Sequence, residues 1–246
     1  MSITITIAET AQELGLRAAA KIADLLNQAI EARGEARIIL STGASQFETM
    51  EALTQQAVDW SKVEMFHLDE YVGLPETHPA SFRKYLKERF VSKINLKAVH
   101  YVDGEGDIKG KIAKLSALVK EKPVDVGVIG IGENGHIAFN DPPANFDTTD
   151  PYMVVELDDR CKQQQVGEGW FATLNDVPKT AITMSPKQII ACKHIVSAVP
   201  YAVKAEAVYN TITSKVNPMV PATLLKTHPD WNLFLDQESA AKLLAR

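Results

Sequence analysis

The chain has 246 residues, 46% of them hydrophobic, enough for one large α/β domain or two small ones with a substantial core. Its formal net charge of −5 argues against a nucleic-acid partner, so any anion must be held by a local cluster of groups. No apolar stretch approaches the roughly 18–20 residues that span a bilayer, which excludes a membrane helix.

In chain order, residues 3–7 alternate apolar side chains with threonine and read as a strand. Over 10–33 the residues Leu14, Ala18, Ile22, Leu25 and Leu26 recur at helical spacing, and Gly34 ends the helix. A second strand, 36–40, runs straight into Ser41-Thr42-Gly43-Ala44-Ser45, with a helix over 46–57 after it. Strand 63–68 ends at Asp69-Glu70-Tyr71; the loop from Gly73 to Pro79 leads to a helix over 80–93. Strands at 98–102 and 124–129 flank an amphipathic helix at 108–121. Residues 142–178 read as polar and irregular, a lid-like segment around one strand at 152–157. Strands at 181–184, 194–199 and 231–235 follow, with helices at 186–192, 201–212, 221–226 and 237–245. This alternation predicts a single Rossmann-like α/β domain, a mainly parallel sheet with helices on both faces.

Only two cysteines occur, Cys161 and Cys192, with neither metal-ligand spacing nor a disulfide framework. They fit a reducing compartment. The first nine residues lack a basic segment followed by an apolar core, so the expectation is a cytoplasmic protein.

The densest concentration of chemistry lies at 132–142, Gly-Glu-Asn-Gly-His-Ile-Ala-Phe-Asn-Asp-Pro, directly after the 124–129 strand. Ligands in α/β proteins bind beyond the carboxyl ends of strands. The match of 130–135 to G-x-G-x-x-G does not make a dinucleotide site, because Pro142-Pro143 cuts short the long helix that a pyrophosphate would need. An isolated histidine is more often structural than catalytic. His136, however, follows a strand end, sits among glycines that permit close ligand approach, and has Asp141 five residues on. Asp69 and Glu70 stand at another strand end, where an acidic residue is commonly a turn former. Two strand ends presenting a carboxylate and a histidine to one crevice suit a general base and a general acid, and local pattern alone does not choose between Asp69 and Glu70. The Ser41–Ser45 loop offers backbone N–H groups at a helix start, a cradle for phosphate as readily as an ordinary cap. Lys204 and Lys162, each taken alone, read as solvated lysines.

Together, Ser41-Thr42-Gly43, Asp69-Glu70-Tyr71-Val72-Gly73-Leu74-Pro75 with His78-Pro79, and Gly135-His136-Ile137-Ala138-Phe139-Asn140 resemble the glucosamine-6-phosphate deaminase (isomerase) family. Val177-Pro178, Lys204-Ala205, Val216-Asn217 and His228-Pro229 follow in matching order, so the resemblance covers almost the whole chain. It implies a Rossmann-like fold, no cofactor and no metal. It also implies conversion of an amino-sugar 6-phosphate to a ketose 6-phosphate with release of ammonia. In that scheme His136 assists ring opening, Asp69 carries the C2 proton to C1, and the loop Ser41, Thr42, Gly43, Ala44 and Ser45 holds the phosphate with Lys204 and Lys162.

The chain departs from the family pattern at several positions. Asn134 stands where an aspartate is common and Asp141 where a glutamate is common. The expectation is therefore that Asp141 supplies negative charge near His136, while the Asn134 carbonyl accepts from the imidazole and orients it. Lys162 replaces an arginine and loses the bidentate fork. Met153 and Val155 occupy the positions of a basic pair that binds an allosteric sugar phosphate in some members, implying no such activation.

The nearest enzymatic rival by resemblance is 6-phosphogluconolactonase, which shares the fold and a Gly-His motif but needs no base for C2. A sensor that keeps the pocket and lacks the relay is a second rival. Gluco and galacto epimers are not told apart, and homo-oligomerisation is left open.

Overall fold

The computed structural model describes residues 3–245. Its main layer is a seven-stranded parallel sheet built from β1 (Ile3–Ala8), β2 (Ala36–Leu40), β3 (Val63–His67), β5 (Ala98–His100), β6 (Val126–Val128), β9 (His194–Val199) and β10 (Trp231–Asp236). Their order across the sheet is β1-β10-β9-β6-β2-β3-β5, every neighbour parallel. Central strands bury both faces, which is why β2 is buried at all five positions and carries no polar alternation.

Successive residues of each strand feed different cores, as a two-residue side-chain period requires. Ile38, Leu40, Met65, Val126, Val128, Val196 and Phe234 pack on one face with α1 (Ala11–Arg33), α2 (Phe47–Thr54) and α3 (Phe82–Arg89). Ile39, Phe66, Ile195, Val199, Leu233 and Leu235 pack on the other with α4 (Ile108–Lys120), α6 (Pro186–Ile190), α7 (Ala205–Thr213) and α8 (Gln237–Leu244). The first helix shows how local sequence sets its limits. The Thr10 side chain accepts from the Glu13 N–H at its start, and Gly34 at φ 77° closes its end in the left-handed conformation.

A second, three-stranded antiparallel sheet was not legible in the sequence: β4 (Asp69–Tyr71), β8 (Thr180–Met184) and β7 (Tyr152–Glu156), in the order β4-β8-β7. The strand read as 63–68 therefore ends at His67; after Leu68 the chain leaves the main sheet and pairs Asp69 with Thr183. The segment 142–178 is also not irregular throughout. Besides the expected strand, β7, it holds a nine-residue helix, α5 (Asp159–Gly167), capped by Asp158, whose side chain accepts from Cys161 N–H. The helix expected at 221–226 is a 3-10 turn over Pro221–Thr227. No helix among the described residues is long and apolar enough to cross a membrane.

Candidate active site

The strand order reverses between β2 and β6: the chain builds outward from β2 to β3 and β5, then returns to β6 on the other side of β2. Loops leaving neighbouring strands at such a point diverge and leave a crevice. Here the crevice is lined by Ser41, Thr42, Gly43 and Ser45 after β2, Asp69 after β3, Gly130, Gly132 and His136 after β6, and Lys204 after β9. Four strand ends thus supply one cavity.

The β2 loop is held rigidly. Ser41 N–H donates to Val128 O at 3.1 Å, and buried Gln46 donates to Ala198 O at 3.0 Å. Gly43 lies at φ 103°, outside the range side-chain-bearing residues favour, and turns the chain into a 3-10 turn over Ala44–Gln46. The Ser41 hydroxyl is buried with no protein partner, a donor that a bound group would satisfy. Lys204 closes the 3-10 turn over Ala202–Lys204 that leads into α7, and only 3% of it is exposed. Burial lowers its pKa from the ordinary lysine value, against opposing fields from Glu168 and Glu133. Its ammonium has no acceptor among the described residues. A buried cation with no acceptor is electrostatically suited to an anion entering the cavity.

Asp69 and Glu70, not told apart by local pattern, face different surroundings. Glu70 turns away from the cavity: its carboxylate accepts from Ser81 Oγ at 2.8 Å, from the N–H groups of Tyr71, Phe82 and Arg83, and pairs with the Arg83 guanidinium. Such a fully bonded buried charge is structural. Asp69 lines the cavity instead, without those partners. Burial, reinforced by the negative Glu70 beside it, raises its pKa well above the usual carboxylate value. A carboxylate so placed is a stronger base than one in water.

The histidine turn is built by its glycines. Gly132 N–H donates to His136 O at 2.9 Å, and the imidazole lies flat on Gly132, so close that a Cβ there would sit 2.2 Å from its ring atoms. Behind the ring, Asp141 Oδ1 stands 3.2 Å from His136 Nδ1. Asn134 plays a different part from the one expected. Its carbonyl accepts from the His136 backbone N–H at 3.0 Å, and its Nδ2 donates to Asp141 Oδ1 at 3.1 Å. It therefore orients Asp141, not the imidazole, because the tight turn folds its side chain onto its own backbone. Asp141 is pushed up by burial, but His136, Asn134 and the Asp158 N–H outweigh that and hold it below the ordinary value, so it remains a charged partner. Beyond the turn, Phe139 N–H donates to Thr183 Oγ1, and Asn140 Nδ2 donates to Ile137 O and Met184 O, docking the segment onto β8.

The side chain missed in this relay is Cys161, on α5. Burial and then the charges of Asp141 and Asp158 push its thiol well above the usual value, so it stays protonated against Asp141. An imidazole nitrogen of His136, a carboxylate oxygen of Asp141 and the Cys161 Sγ all lie within 4.8 Å of one another.

Lys162 does not join the cavity lining; its ammonium stands 3.4 Å from Asp159, one turn before the part of α5 that does. Gln164, Gln165 and Glu168 face the site instead. Cys161 and Gln165 on α5 and Glu168 just past it follow i, i+4, i+7 with only one small apolar side chain among them, so a search for apolar periodicity passes over them. Asp158 followed three residues later by Cys161 was the one available signal, a cap without an apolar face. Ala44, Asn134 and Asp141 are also absent from the lining: Asn134 and Asp141 act from behind His136.

The model of the family described as glucosamine-6-phosphate isomerases/6-phosphogluconolactonase matches residues 9–233. A glucosamine-6-phosphate deaminase of Lactobacillus delbrueckii subsp. bulgaricus is 32% identical over 240 residues, covering 97% of this chain and 99% of that protein. A solved structure described as a monomeric glucosamine-6-phosphate deaminase superposes with TM-score 0.89 at 28% identity, covering 97% of this chain and 99% of that one. A 6-phosphogluconolactonase of Shewanella baltica shares the fold with TM-score 0.78 at 19% identity over 96% of this chain and 98% of its own.

Proposed function

The chain belongs to the family of glucosamine-6-phosphate isomerases and 6-phosphogluconolactonases, and we propose that within it this enzyme converts glucosamine 6-phosphate to fructose 6-phosphate and ammonia. The observation that carries the reading is the pairing of Asp69, a buried base, with His136 across one cavity that also holds Lys204. A lactonase needs a histidine to activate water, but nothing in lactone hydrolysis calls for a base at C2.

In this reading the sugar phosphate lies against the Ser41–Ser45 loop, where the Ser41 hydroxyl, helix-start N–H groups and Lys204 take its oxygens. His136 moves a proton between the ring oxygen and O1, opening the ring to the aldehyde. Asp69 takes the C2 proton as O1 is protonated, giving the enolamine, and returns that proton at C1 as the nitrogen gives up one of its own, leaving an imine at C2. Water adds to the imine and ammonia departs. No electrons enter or leave, so the sequence needs no redox cofactor. A cytoplasmic setting belongs to the same reading and is supported by the two free thiols, Cys161 and Cys192.

The deciding experiment offers glucosamine 6-phosphate, galactosamine 6-phosphate and 6-phosphogluconolactone separately to the purified protein. Ammonia together with fructose 6-phosphate is expected from the first. Lactone hydrolysis without ammonia from either amino sugar would replace this reading with the lactonase one, and binding without turnover would make the protein a sensor.

Two further results are expected. Asp141→Asn removes the charge beside His136 and should lower kcat for ammonia release by about 100-fold, at the low end for a proton-transfer group because Gly132 still holds the ring. Asn134→Ala, which acts only through Asp141, should cost less. Equal losses in the two variants, or none in either, would contradict this division of roles.

Lys204 sets the second expectation. Burial lowers its pKa, so as pH rises the ammonium is lost earlier than for an ordinary lysine. KM should therefore climb on the alkaline side before the usual lysine range is reached. Lys204→Met should raise KM roughly 10- to 100-fold at neutral pH, the loss of a charge-assisted contact, and flatten that alkaline rise. A KM profile unchanged by the substitution would remove Lys204 from the phosphate site.

A further inference from the structure

The phosphate end of the cavity contains a carboxylate as well as a cation. Glu168, just past α5, borders the same space as Ser41, Thr42, Gly43, Ser45 and Lys204. Two donors fix it: Gln164 Nε2 reaches Oε1 at 2.7 Å, and Trp170 Nε1 reaches Oε2 at 2.9 Å. Its Oε2 lies 3.9 Å from where a Cβ on Gly43 would stand, on the open side of that glycine. An ionised carboxylate offers about four acceptor positions, and two are used. Acceptor capacity therefore remains on a carboxylate that borders the cavity.

A fully deprotonated anion meets repulsion there. A phosphate monoester does not have to be fully deprotonated, because its second pKa is about 6 and it retains a proton at little cost near neutral pH. A P–O–H donating to a carboxylate forms a short, charge-assisted hydrogen bond. Sulfate has the same shape and size but no proton to donate at that pH.

We propose that Glu168 is a specificity-determining residue that accepts the P–O–H proton of the bound phosphate, so the site selects phosphate over sulfate while Lys204 pairs the ionised oxygens. This rests on the reading of the cavity as a sugar-phosphate site, and it gives the carboxylate beside the cradle a use that simple charge attraction does not.

Calorimetric titration of the intact protein with inorganic phosphate and with inorganic sulfate, at pH 7 and constant ionic strength, tests it. Phosphate should bind at least about 10-fold more tightly than sulfate, a difference of about 1.4 kcal/mol. Glu168→Gln should strengthen sulfate binding and bring the ratio towards one. Trp170→Phe, which frees Oε2 from its donor, should reduce the ratio without removing the carboxylate and serves if the first variant does not fold. Equal or tighter binding of sulfate by the wild type, an unchanged ratio in the variants, or no binding of either anion would each overturn the proposal. Phosphate preference in a protein that releases no ammonia would preserve the role of Glu168 and sink the deaminase reading; ammonia release without anion preference would do the reverse.

Discussion

Asp69→Asn should lower kcat for ammonia release by about 1,000-fold, within the span that loss of a general base produces, while making the folded protein more stable at neutral pH. The two effects have one cause. Burial, with Glu70 adding its field, makes ionised Asp69 costly in the folded state. Its folded pKa lies above the unfolded value, so folded stability falls as pH rises from the unfolded to the folded pKa, and the deficit persists at neutral pH. The isosteric amide carries no charge and escapes that deficit. Thermal melting at pH 7 should move upward as turnover disappears. In the wild type the same raised pKa should appear as an acid limb of kcat/KM displaced above the ordinary carboxylate range. A variant that lost activity and stability together would mark Asp69 as structural, and one that kept its turnover would remove it from the chemistry.

Gly132→Ala carries the second large effect. Its Cβ would stand 2.2 Å from the Cε1 and Nε2 atoms of His136, a separation that real contacts essentially never show. Gly132 is not among the residues with positive φ, so alanine fits the backbone and the collision falls on the imidazole. The ring must swing away, and the 3.2 Å approach to Asp141 is lost with it. A misplacement of about 1 Å in a reacting group can cost about 100-fold, and a fall in kcat of that size is expected. KM should change little, because Lys204 and the Ser41 loop lie on other strand ends. Steady-state kinetics separate the outcomes: a rise in KM with kcat intact would mean that the glycine serves ligand access and not the histidine.

The main sheet was legible because its central strands bury both faces, leaving short, mostly apolar runs such as 36–40 and 194–199 bounded by polar turns. The glycines and histidine of 130–136 were legible for a similar reason: small residues at a strand end announce close approach. Asp69 could be placed at the cavity edge from its strand, but separating it from Glu70 required knowing that Ser81 and Arg83 fold back to receive Glu70. The small antiparallel sheet was hidden because β4 is three residues long and continues β3 with one residue between them. Helix α5 was hidden because its buried face is only Cys161 and Gln165, a single small core residue and an amide that accepts from the Tyr71 hydroxyl. Asn134 illustrates a further limit. Its residue type predicts a hydrogen bond to the relay, and only the turn decides which partner receives it.

The passage of the chain from β3 into β4 at Leu68 divides the substrate between two supports. Ser41 and Lys204 belong to the main sheet, whereas Asp69 pairs with Thr183 on β8, the residue that also receives Phe139 just past the histidine. In the proposed reading the groups assigned to the phosphate and the base assigned to C2 are thus mounted on separate sheets, and the His136 turn, which leaves β6 and docks on β8, joins the two. In this reading, changes within the small sheet can move the base while the phosphate handle stays fixed. One grip can in this way serve more than one chemistry, as a family holding both deaminases and lactonases requires.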